Sequence, residues 1–164
     1  MRISFFIGVG LFVAYVVMAI CLWGVPASLS QTFYLLDGKP KGYIFTAAMW
    51  ATCFLVAPQW FNVTEDWATF SVFFAVGGLM LVGAAPMFKE NDRGWHEAFA
   101  IVCAVFALLW QFLNGQYWEA VAFLVVFFTL AKVTKTMRVC KTFWLELTAF
   151  ASTFLSIAMK GLGV

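Results

Sequence analysis

One carboxylate lies where a membrane-type sequence should not tolerate it. Glu146 falls about five residues into an apolar run, past the basic residue Lys141, or ~7 Å along a helix axis at ~1.5 Å per residue. An ionisable group inside a transmembrane helix costs roughly 2.5–3.5 kcal/mol on insertion scales, so it is expected to be paired, hydrated or protonated. Lys141, Arg93 or a hydroxyl would make it structural; a ligand, an ion or a transferable proton would make it functional. His96, the only histidine, opens another apolar run beside Glu97. An imidazole at such a position serves as a hydrogen-bonded structural group, or as a donor that titrates near neutral pH. Ser28 and Ser30 follow the first apolar run, where either caps a short helix or turns its hydroxyl toward a polar site. Asp37 and Arg93 lie in connections that return to the same face. Glu146, His96, Ser28, Ser30, Asp37 and Arg93 form the candidate ligand-binding set. One histidine and four scattered cysteines, Cys21, Cys53, Cys103 and Cys140, exclude a multi-histidine zinc site within one chain. No catalytic residue, metal ligand or cofactor is assigned.

The elements that must hold these groups follow from composition. Of 164 residues 64% are hydrophobic and 11% charged, against roughly 25% charge in soluble domains. A chain this small cannot hide so much apolar surface from water, so lipid is the expected solvent. Six runs approach the ~20 apolar residues that cross a ~30 Å hydrocarbon core: about 3–23, 43–61, 67–86, 95–114, 117–134 and 142–160. Backbone groups in lipid must be satisfied internally, and no strand-type alternation appears, so the runs are helices. The expected fold class is all-α, a single polytopic domain of six transmembrane helices. The first run, after Met1-Arg2, exceeds the 7–15 residues of a signal-peptide core and is read as a retained span.

Basic residues set the orientation. Lys39, Lys41, Lys89, Arg93, Lys132, Lys135, Arg138 and Lys141 lie between spans on one side, against Arg2 and Lys160 on the other. Both termini are therefore expected outside the cytoplasm, and a bacterial inner membrane is the expected location. Trp23, Trp60, Trp67, Trp95, Trp118 and Trp144 fall near span ends and read as an interfacial girdle. A net charge of +2 gives no reason to expect nucleic acid as a partner; membrane lipids are the expected partners.

Periodicity then assigns faces. Thr46, Trp50 and Cys53 share a face of the second span, and Ser71, Ala75 and Gly78 one of the third. Small residues at that spacing let helix backbones approach, which predicts the third span at the bundle centre and offers a Gly-rich face for a homo-oligomer. His96, Ala100, Cys103, Ala107, Gln111 and Asn114 form a stripe on the fourth span; Thr142, Glu146, Ala149, Thr153, Ser156 and Lys160 form one on the sixth. Both stripes should face protein or water. The fifth span carries few polar groups past Glu119 and should face lipid most.

Ser28-Leu29-Ser30 after the first span, Gly83-Ala84-Ala85-Pro86 closing the third and His96 opening the fourth resemble the layout of small bacterial six-helix membrane proteins of unknown function, of DRAM-like and Sfk-like type. The resemblance covers about residues 1–110. More remotely, the chain is similar to membrane hydrolases of the ceramidase and adiponectin-receptor type, which place a serine, an aspartate and several histidines around zinc. This sequence offers a serine and an aspartate but one histidine, with no HxxxH pair in a late span. The leading expectation is a non-enzymatic membrane protein binding a lipid, amphiphile or small solute in a polar recess on the cytoplasmic side, in the service of transport. A metal-dependent lipid hydrolase is the alternative the remote resemblance implies. A homo-oligomeric channel or membrane-assembly factor is the alternative the third span suggests.

Overall fold

The computed structural model describes residues 2–36, 42–84, 93–133 and 140–163, with the backbone alone at Arg93, Leu130, Ala131 and Val133. Apolar runs have become helices: α1 (Ile3–Trp23), α2 (Gln31–Leu35), α3 (Tyr43–Asn62), α4 (Thr69–Ala84, entered by a 3-10 turn at Asp66–Ala68), α5 (Arg93–Leu113), α6 (Tyr117–Val133) and α7 (Lys141–Leu162). The described residues contain no strand. Five of the helices are long and apolar enough to cross a membrane. The remaining long one, α6, has 17 residues, or ~26 Å of axis. Residues 85, 86 and 134, at the ends of two expected spans, lie outside the described residues.

The helices form two layers. α1, α3, α4 and α5 lie side by side in that order, while α6 and α7 pair as a hairpin against them. The hairpin is seated on one side by aromatic rings, with Phe12 of α1 against Phe150 (centroids 4.3 Å apart) and Phe154 (5.5 Å) of α7. It also touches α5 and α3, yet space is left between the layers.

Within the first layer the packing is specific. Three donors on the expected face of α3 reach backbone carbonyls of antiparallel α4: Thr46 Oγ1 to Gly83 at 2.7 Å, Trp50 Nε1 to Met80 at 2.9 Å and Cys53 Sγ to Val76 at 3.6 Å. As the donor number rises along α3, the acceptor number falls along α4, which fixes register as well as direction. Interhelical hydrogen bonds of this kind contribute about 0.6 kcal/mol each on average in a membrane. Between α4 and α5 the small-residue face does what its spacing predicts. A Cβ at Gly78 would lie 2.8 Å from the Cys103 amide nitrogen, so only glycine permits the observed approach. The centre, however, is α3 rather than α4. α3 touches α1, α2, α4 and α7, and 44% of its span is buried against 39% for α4. The reason is visible in exposed Phe70, Phe73, Phe74 and Leu81: one face of α4 packs and the other is apolar and outward.

Trp67, Trp95 and Trp118 are exposed near helix ends, as a girdle requires, but Trp60 is not part of one. It is buried edge-to-face on Trp110 of α5, centroids 5.5 Å apart, where large rings fill the space between α3 and α5. At this end of the bundle Trp110 Nε1 donates to Thr64 Oγ1 at 2.7 Å, Asn114 Oδ1 accepts the Glu65 N–H at 3.2 Å, and Lys160 Nζ reaches Glu65 and the Asn114 carbonyl. Gly115, at φ 79°, turns α5 into α6, as the Asn114-Gly115-Gln116 link predicts. α6 buries only Ala120 among its described side chains, consistent with its expected outward position.

Candidate ligand cavity between the two layers

The space between the layers is a cavity of about 460 Å³ bounded by α3, α4, α5, α6 and α7. Along α3 its wall extends from Phe45 to Trp60, ~22 Å of helix axis. Ala100, Cys103 and Ala107 of the α5 stripe face it, as do Thr142, Glu146, Ala149 and Thr153 of the α7 stripe. The two sequence stripes thus converge, though on a hydrocarbon-lined space and not on the polar recess expected. Phe123 and Phe127 of α6 line its flank, and Ile101 and Val105 of α5, also lining residues, are exposed. The cavity therefore reaches the outer surface beside α5, at Ile101 and Val105.

Polarity is concentrated at one end. Ser30, Thr142 and Glu146 line the end near the start of α7. The other polar side chains of the lining are engaged or isolated: Thr153 Oγ1 donates to the Ala149 carbonyl of its own helix, while Thr52 Oγ1 and Trp60 Nε1 have no partner among the described residues.

The loop after α1 builds the polar end. Ser28 Oγ accepts the Gln31 N–H at 3.1 Å and lies 3.1 Å from Ser30 Oγ, so the capping role falls to Ser28. Gln31 Oε1 accepts the Ala27 N–H at 2.6 Å, and Thr32 Oγ1 bonds both the Leu29 carbonyl and the Tyr15 hydroxyl. With its own groups satisfied in this way, the loop docks on α7. The Phe143 N–H donates to the Ala27 carbonyl at 3.0 Å, Cys140 Sγ to the Val25 carbonyl at 3.4 Å, and the Leu29 N–H to Glu146 Oε2 at 2.6 Å. The described partner of this carboxylate is thus a backbone amide 117 residues away, a partner not weighed from sequence.

The remaining candidates divide. Ser30 and Glu146 line the cavity, and Ser28 sits one hydrogen bond behind Ser30. His96 is half-buried outside the lining and its ring engages the backbone of Val82, a lining residue of α4. Arg93 is the first residue of α5, and Asp37 lies outside the described residues. Sequence reasoning missed the Leu29 amide, Thr52 and the α6 phenylalanines. Only the last carried a signal, the four-residue spacing of Phe123 and Phe127. A second space of about 20 Å³ beside Gln111 and Ser152 has room for a single water; Gln111 Oε1, buried there without a partner among the described residues, is a polar group such a water would satisfy. No group of three or more metal-binding side chains occurs among the described residues.

Comparison with protein-family models, curated proteins and solved structures finds no match for this chain.

Proposed function

We propose that the protein binds one membrane amphiphile, holding its hydrocarbon chain between the layers and its head at Ser30, Thr142 and Glu146. The observation that carries this reading is an elongated, largely apolar cavity whose one acidic side chain, Glu146, stands with the Ser30 and Thr142 hydroxyls at one end. Its volume, about 460 Å³, falls within the roughly 300–1,000 Å³ of ligand pockets. Its ~22 Å length exceeds the ~15 Å of one leaflet, half of a ~30 Å hydrocarbon core. An apolar chain gains burial along that wall, where Thr52 and Trp60 carry the two unpartnered polar atoms among hydrocarbon side chains. A compact polar solute would gain nothing there. The lateral opening supports entry from the bilayer rather than from water. Basic residues flanking the same end, Lys132 and Lys141 among them, support placing the head in the cytoplasmic leaflet.

The test is native mass spectrometry of the full chain released from mild detergent. Wild type is expected to carry or take up a single amphiphile per chain. Ala149→Phe fills the cavity from α7 and is expected to abolish that adduct while helical content and monodispersity persist. An adduct that survives in a folded Ala149→Phe variant would place the amphiphile elsewhere and reject the reading.

A further inference from the structure

We infer that the amphiphile held in this cavity is a cation, a single-chain lipid whose head is a protonated primary amine. This rests on the reading just proposed and adds the chemistry of the head. Glu146 is the one charged residue among the described side chains that line the cavity, and no lysine, arginine or histidine lines it among the described residues. An anionic head, phosphate or carboxylate, would enter a low-dielectric space beside a carboxylate, with Lys132 and Lys141 flanking that end but not lining it, and like charges there repel strongly. An ammonium does the opposite, because a charge-assisted N–H···O bond to a carboxylate is roughly twice as strong as a neutral one. The geometry leaves the carboxylate a second role beyond holding the loop: its one described hydrogen bond, from the Leu29 N–H, goes to Oε2. Ser30 and Thr142 supply neutral hydroxyls beside it, which accept the further N–H groups of an ammonium. The same Glu146–Leu29 bond ties the loop to the head site, so the loop is positioned by the residue that reads the ligand.

Three probes of equal chain length discriminate: a long-chain primary amine, the corresponding alcohol and the corresponding fatty acid, each titrated into the full chain and read by native mass spectrometry. The amine is expected to bind at least about ten-fold more tightly than the acid, with the alcohol between them. Glu146→Gln keeps an oxygen to accept the Leu29 N–H, and is expected to bring amine and alcohol to within about two-fold of one another. Equal binding of all three by wild type, or preference for the acid, overturns the inference while leaving the cavity reading intact. Failure of all three to bind overturns both. The wild-type ranking alone decides the matter should Glu146→Gln fail to fold.

Discussion

Gly78→Ala is predicted to loosen the bundle, and its neighbour Gly77→Ala is not. A Cβ at Gly78 would sit 2.8 Å from the amide nitrogen and 3.1 Å from the Cα of Cys103. Carbon atoms rest at about 3.5–4.0 Å, so α5 must retreat by roughly 0.7 Å to restore an ordinary separation. The obstructing atoms are backbone and cannot rotate away. Overpacking of this kind costs typically 1–3 kcal/mol, offset by the roughly 0.5–1 kcal/mol that alanine gains over glycine inside a helix. The net expectation is a loss of up to about 2.5 kcal/mol. At Gly77 an added Cβ meets nothing within 4 Å, so only the helix propensity remains and stability should hold or rise. The two variants differ by one position and share the same chemistry. Unfolding midpoints in mixed micelles of mild and denaturing detergent, with helicity followed by circular dichroism, compare them directly. Equal shifts of the same sign would refute the reasoning, because helix propensity cannot distinguish the two sites and only the α4–α5 approach can.

Other outcomes follow from the same packing. Thr46→Val and Trp50→Phe each remove a donor to a carbonyl of α4. Each should lower the unfolding midpoint by the equivalent of about 0.5–1.7 kcal/mol, and the double variant should reveal whether the register they set is shared. Gly115→Ala places a side chain at φ 79° and should cost about 1–2 kcal/mol through backbone strain alone, again measured by detergent unfolding. A reporter fused after Val164 should be active only if it functions outside the cytoplasm, as the basic loops require; a cytoplasmic C-terminus would invert the leaflet assigned to Glu146.

Much of this arrangement was legible in the residues. Helix positions follow from apolar length, because lipid leaves the backbone a single favourable choice. The inward faces of α5 and α7 follow from Ala100, Cys103 and Ala107, and from Thr142, Glu146 and Ala149, since three- and four-residue spacing survives any detail of packing. What those faces meet is a different matter. The partners of Thr46, Trp50 and Glu146 are backbone carbonyls and an amide; every residue but proline carries both groups, so no sequence pattern marks the ones chosen. The burial of Trp60 and Trp110 depends on two rings meeting edge-to-face across helices. A tryptophan near a span end reads equally well as an interfacial anchor. The cavity itself is a shortfall of packing between layers, and shortfalls leave no motif.

The most direct measurement uses a long-chain primary amine bearing a photoreactive group midway along its chain, applied to the protein in bilayers, with the labelled residues mapped by mass spectrometry. The account predicts saturable labelling of cavity-wall residues such as Met49, Cys103 and Phe150, abolished by Ala149→Phe. Label confined to outward residues such as Phe73, Val125 and Phe128, unchanged by that substitution, would contradict it.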